Sequence, residues 1–279
     1  MNHTILKTLS LAIVMAAAFG IGAVADARAQ TPASVPPGEA KAILMRMAEF
    51  MAKTQSFSVE ARDSYDVYQK SGQKIEFSET RKITVVRPDR LRVEIEESNG
   101  DKSMVLFDGK ELTMSSPRQN VYAQTPKTGS IDDVIVYFVR DLGMKLPFAV
   151  LLLTTAPDEL NRRTQTLDYV EKTGILGTPA HHLAGRTESV DYQVWIADSD
   201  RPLPLRLVLT YRKEKGQPQF RAQFSNWNLA PEVPSSLFAF VPPPGAQKIS
   251  FLVQLPRSAA PPAEKPVKSN KSKKSGGQK

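Results

Sequence analysis

The strongest constraint on this chain is alternation. Across Ser56–Tyr68 and Lys74–Val86, apolar and polar residues alternate with the period of two that sends neighbouring side chains to opposite faces of a strand. Lys70-Ser71-Gly72-Gln73 stands between the runs as a turn signal, so they read as an antiparallel pair. Arg87-Pro88-Asp89-Arg90 is a further turn, with proline presetting φ. Shorter runs at 91–97, 103–107, 111–114 and 121–124 continue the meander, with the hairpin signals Asn99-Gly100 and Asp108-Gly109 between them. Strand patterns resume at 166–171, 181–187, 192–197, 203–212 and 219–227. A sheet of about ten strands must curl or close.

Two segments change period. Residues 38–54 carry Ile43, Leu44, Met47, Phe50 and Met51 at three- and four-residue spacing, the stripe of an amphipathic helix, and Pro37 sits where a first turn tolerates a missing donor. Ser130 caps a second helix, on which Ile131, Val134, Ile135, Phe138, Val139 and Leu142 recur before Gly143. Asp132 and Asp133 fall in its first turn, where they complement the helix dipole. The apolar run from Phe148 to Leu153 reads as a buried helical turn, and Pro157 starts another. The expected fold is therefore mainly β with α (α+β): a strongly curved antiparallel sheet, or incomplete barrel, with helices over its concave face. Two helices with wide apolar faces above a bent sheet offer more apolar surface than a tight core requires. The space between them is the natural place for a cavity, one that suits a hydrophobic ligand such as a lipid. Its expected lining is Met47, Phe50 and Met51 on the first helix and Ile131, Val134, Ile135 and Phe138 on the second. Soft methionines, Met45 and Met144 included, suit a cavity that accepts varied chains and serve equally as gap fillers.

The ends differ from the middle. A basic start at Lys7, an apolar run from Leu9 to Val24 and small residues after it have the layout of a secretory signal peptide, with Ala27-Arg28-Ala29 or Ala25-Asp26-Ala27 at the cleavage position. The run is short for a membrane span, which needs about 20 residues. The expected plan is a signal peptide at 1–29, a leader at 30–37, one domain at 38–252 and a basic tail at 253–279. Of the formal net charge of +8, most sits in that tail, where Arg257, Lys265, Lys268, Lys271, Lys273, Lys274 and Lys279 face only Glu264. The domain itself is nearly neutral, so no specific nucleic-acid partner is expected. The tail reads as a solvated extension, with weak contact to anionic surfaces as its sharper use. The chain contains no cysteine. It therefore has neither a disulfide nor a thiol for lipid attachment, and periplasmic localisation as a cleaved, unlipidated protein is expected.

Nothing in the sequence marks chemistry. There is no Gly-x-Ser-x-Gly elbow, phosphate loop or metal-ligand spacing, so no catalytic residue, metal or cofactor is expected. His181 and His182 are adjacent and belong on opposite faces of a strand, which prevents them from chelating one ion side by side. Trp195 and Trp227 read as core aromatics or as pocket lining.

A resemblance sharpens this picture. A Trp-bearing strand at Trp195, a return strand carrying Pro204, Asn226-Trp227 and the terminal Phe238-Ala239-Phe240-Val241-Pro242-Pro243-Pro244-Gly245 resemble the C-terminal half of the LolA/LolB/LppX lipoprotein-carrier superfamily. Over nearly the whole domain the chain looks more like an uncharacterised family of predicted periplasmic proteins. That likeness rests on Arg87-Pro88-Asp89-Arg90-Leu91-Arg92, Phe107-Asp108-Gly109-Lys110, Ile131-Asp132-Asp133, Leu146-Pro147, His181-His182-Leu183 and Trp195-Ile196-Ala197. The resemblance implies a LolA-type half-barrel with helices in its mouth, holding acyl chains in a carrier or chaperone role. It also implies an alternative: a sensory domain of the same fold, as in envelope-stress regulators, that binds a protein partner. No mouth residue of the carriers maps onto a position of this sequence.

Overall fold

The computed structural model describes Pro36 and residues 38–251. The expected signal peptide, the leader apart from Pro36, and the basic tail lie outside the described residues. Within them the first helix, α1, runs Glu39–Lys53 and buries Ile43, Leu44, Met47, Ala48 and Met51. Strands β1 (Ser56–Tyr68) and β2 (Lys74–Val86) pair antiparallel over their full length. The meander continues through β3 (Arg90–Glu97), β4 (Lys102–Phe107), β5 (Glu111–Ser116) and β6 (Val121–Pro126). A helical insert follows: α2 (Ile131–Val136), a π-helical turn at Tyr137–Asp141, a 3-10 turn at Ala149–Leu152 and α3 (Ala156–Arg163). The second meander is β7 (Thr166–Ile175), β8 (Thr178–Arg186), β9 (Val190–Ala197), β10 (Pro204–Tyr211) and β11 (Gln219–Asn228), and a short β12 (Gln247–Ile249) closes the chain order.

All twelve strands form one open sheet in the order β12-β6-β5-β4-β3-β2-β1-β11-β10-β9-β8-β7. The two meanders join where β1 pairs with β11. The fold class is as the alternation implies: mainly β, a curved sheet of antiparallel strands with few helices. Strand β12 is the departure, a three-residue edge strand parallel to β6, and its sequence carries no alternation long enough to announce it.

Both helices bury their stripes on the same face, here the inner face. Ile43, Leu44, Met47 and Met51 of α1 and Ile131, Val134, Ile135 and Phe138 of the insert share one continuous core with Phe57, Val59, Ile83, Val85, Phe107, Leu112, Leu183, Ile196, Phe220 and Phe224 of the sheet. α1 packs against α3, the Ala149–Leu152 turn and strands β7 to β9.

Several of the sequence elements that carry the family likeness form one clasp. Arg87, in a cis peptide with Pro88, donates from Nε to the Thr54 carbonyl and from Nη2 to the Met51 carbonyl, capping the C-terminus of α1. The Ile131 amide donates to the Pro88 carbonyl at 2.8 Å, seating α2 on the same turn. Asp132 accepts from the amide and hydroxyl of Thr154. Gly109 (φ 90°) lies against Asp89 so closely that a Cβ there would overlap the carboxylate. Ser130 and Asp133 form a reciprocal capping box at the start of α2.

The other end of the family pattern is also structural. Between Ser58 and Glu60 the β1–β11 register shifts, and Asn226 takes a positive φ of 54°. Asparagine tolerates that conformation better than most residues. The bulge sets Trp227 against Phe57 and Phe224, and its indole donates to the Pro204 carbonyl at 3.2 Å. After β11 the chain crosses to the far side of the meander. Arg92 donates to the Leu237 carbonyl, Arg90 lies over the Phe238 ring, and Phe240 packs on Tyr122 before β12 joins β6. This strap packs against β3 and β6.

Candidate functional site

A cleft of about 700 Å³ lies beside α1, within the range of small-molecule sites. One wall is the flank of α1, with Ile43, Arg46, Glu49, Phe50 and Lys53; the other is the end of β8 and the β9–β10 connection, with His181, Ile196, Ala197, Asp198, Asp200 and Pro202. Helical spacing explains the first wall, since residues three and four apart share a face. Ile43, Phe50, Ile196 and Ala197 make an apolar floor, and the charged side chains form the rim.

The rim is ordered by a short polar chain. His181 Nε2 lies 3.0 Å from Asp198 Oδ1, and the Tyr169 hydroxyl lies 3.2 Å from His181 Nδ1. Lys172 Nζ reaches Asp198 Oδ2 at 2.6 Å and, as the main cause, holds that carboxyl below its usual range. Burial raises the Tyr169 phenol. Histidine, carboxylate and lysine here satisfy one another, and Arg46 has no ion pair among the described residues. Ser199 brings a hydroxyl to the lining, and it is bonded to its own turn at the Arg201 carbonyl.

Of the seven residues expected to line a ligand space, Phe50 borders the cleft. The other six, Met47, Met51, Ile131, Val134, Ile135 and Phe138, are brought together in the closed core between helices and sheet. Met47 and Met51 flank Phe50 on the buried side of the same helix, so cleft and core meet across α1. The histidines separate as adjacent strand residues must. His181 faces the cleft, while His182 stacks on Trp195 at 4.0 Å on the outer face, with Arg206 over the same indole at 5.3 Å. Trp227 packs, half-buried, against the inner core. No group of three or more His, Cys, Asp or Glu among the described residues could hold a metal ion.

A second polar feature was not legible in the sequence. Asp63 on β1 faces inward, its side chain fully shielded, with Arg81 Nη2 at 3.3 Å from Oδ2. Arg81 also pairs with Glu79, which lies opposite Asp63 in the β1–β2 register. Burial, opposed by Arg81 and reinforced by Glu79, pushes the Asp63 carboxyl up to about 8. The only hint was an acid at the parity of Phe57, Val59 and Ala61 on an otherwise apolar face.

A family model described as "Predicted periplasmic protein (DUF2092)" matches residues 40–252. The chain belongs to this family. The DUF2092 match spans both meanders, the insert and the strap. No helix among the described residues is long and apolar enough to cross a membrane. No curated protein matches the chain. Similar solved structures include an uncharacterized conserved protein from Thermus thermophilus, 13% identical, covering 76% of this chain and 99% of that one at a TM-score of 0.45. The lipoprotein LppX of Mycobacterium tuberculosis is 14% identical, covering 71% of this chain and 100% of that one at a TM-score of 0.44. The MucA/MucB complex of Pseudomonas aeruginosa contributes a chain 20% identical, with 72% and 61% covered at a TM-score of 0.40.

Proposed function

We propose that this DUF2092 protein is a non-enzymatic periplasmic binding protein that shelters the acyl chain of a lipid or lipoprotein. The observation that carries the reading is the cleft of about 700 Å³ whose apolar floor, Phe50 and Ile43, belongs to the same helix that seals the core. A chain entering there meets apolar side chains below and a charged rim above, the arrangement an amphiphile requires. Each methylene buried gains about 0.8 kcal/mol. Further length is accommodated if α1 and the insert part from the sheet, which exposes Met47, Met51, Ile131, Val134, Ile135 and Phe138 as lining. The mutual pairing of His181, Asp198 and Lys172 supports binding rather than catalysis, because among the described residues no free nucleophile–base pair faces the cleft.

Titration of the lipid-stripped protein with a fluorescent long-chain fatty acid tests this. One saturable site is expected, weakened about tenfold or more by Phe50→Glu, the equivalent of about 1.4 kcal/mol. Absence of saturable uptake contradicts the reading. A protein partner bound in stoichiometric amount and lost on removal of residues 256–279, with no lipid uptake, establishes the partner-binding alternative instead.

A further inference from the structure

The Asp63 cluster is costly to build and the cleft does not use it. Both Asp63 carboxyl oxygens and Arg81 Nε are buried without a hydrogen-bond partner among the described residues. Native proteins rarely leave buried polar atoms so, and an acid beside another acid has a simple remedy: a proton. Protonated, Asp63 donates to Glu79 and the trio Asp63, Glu79 and Arg81 is neutral. Ionised, it places two carboxylates against one guanidinium, with the Asp63 side chain shielded from solvent.

The roof over this trio is the helical insert. Phe148 is buried; the Arg81 guanidinium carbon lies 5.3 Å from its ring centroid, and its ring packs edge-on to Phe224 at 5.6 Å and tilted to Phe220 at 5.9 Å. The groups facing Asp63 come from three sides. From β2 there are Glu79 and Arg81, with Glu97 of β3 opposite Glu79 in register. From β11 there are Phe220, Ala222 and Phe224, and from the insert Phe148, none of which titrates. The Asp63 side chain is itself shielded from solvent, Arg81 and Glu79 keep only a small exposed fraction, and Phe148 is the insert residue seated over Arg81.

We propose that the Asp63–Glu79 carboxyl pair, sharing one proton beneath Arg81 and Phe148, is a proton-controlled latch that holds the helical insert closed on the inner face. Loss of the proton leaves a net negative charge that fuller hydration stabilises, and lifting Phe148 off Arg81 hydrates the trio. The insert then loosens from the sheet. That this opening admits or releases a ligand rests on the acyl-binding reading; the latch itself does not.

Hydrogen exchange of the full chain without ligand, corrected for the intrinsic pH dependence of exchange, separates the two. With an open-state carboxyl of ordinary acidity, linkage predicts that protection across 131–152 falls by up to about 30-fold between roughly pH 6.5 and pH 9.5, levelling off above the Asp63 titration. Protection in β4 and β5 should stay constant. Asp63→Asn, a neutral isostere, should remain protected at both pH values, and Glu79→Gln should flatten the response by leaving a neutral Asp63–Arg81 pair. Flat protection of the insert in the unmodified chain overturns the latch, as does a wild-type response in both variants. Either result leaves fatty-acid uptake, measured separately, to decide the acyl-binding reading.

Discussion

Asp63 links the stability of the folded domain to pH. Its carboxyl titrates at about 8 when folded and in the ordinary acid range when unfolded, so the folded state binds the proton more tightly. Stability from this group is fully present below the unfolded pKa and is lost as pH rises toward the folded one. Asp63→Asn should therefore stabilise the protein near neutral pH, with a gain that grows between roughly pH 4 and pH 8 in urea titrations. A destabilised variant at neutral pH contradicts the assignment. Gly185 makes a second residue-scale test. A Cβ there would overlap the Tyr192 ring, whose hydroxyl is fixed 2.8 Å from the Thr164 hydroxyl. Gly185→Ala should cost about 1–3 kcal/mol by overpacking, and less in a Tyr192→Leu background, as a double-mutant cycle will report. Neither residue was legible beforehand, because a buried acid and a crowded glycine owe their state to cross-strand partners fixed by register and packing. The Asn226-Trp227 pair was visible as a pattern, yet its reason, a bulge that turns the indole inward to Pro204, required the β1–β11 register.

The elements most legible in the sequence were those with the longest periodicity. β1 and β2 run as the alternation indicates, α1 lies within the expected 38–54, and both Gly-containing hairpin signals fall between paired strands. The second helix shows where local pattern ends. Its apolar spacing continues to Leu142, but the helix widens to a π turn at Tyr137–Asp141, leaving Val139 half exposed while Phe138 stays buried. Such turns arise from packing that spacing does not encode. The Arg87 clasp joins α1 to the insert through two carbonyls and the Pro88 turn. Arg87→Met should cost about 2–3 kcal/mol, since bonds from a charged donor are lost and the α1 carbonyls are uncapped. Thermal unfolding measures it, and a change within error would remove the clasp from the account. The strap offers a cleaner test. Phe238 is buried on the outer face, beneath a segment with few backbone bonds. Phe238→Ala should cost about 3–5 kcal/mol and expose β12 and β6 to hydrogen exchange first.

At the scale of the molecule, twelve strands and a helical layer leave one face committed to the helices and two sheet edges, β7 and β12, open. Fold class followed from alternation, because a sheet with one covered face must write that face into its sequence. The ligand space did not follow so directly. Apolar helix stripes mark what is buried, and burial against a ligand and burial against the sheet demand the same residues; Phe50 borders the cleft while Met47, Met51, Ile131, Val134, Ile135 and Phe138 lie in closed packing. The most direct test of the acyl-binding claim is native mass spectrometry of the protein purified from the periplasm without detergent. The expected result is a population heavier than the mature chain by one acyl-bearing lipid, released on mild activation and identified in the extract. A mass equal to the bare chain in every preparation, with no gain after incubation with fatty acid, would contradict it.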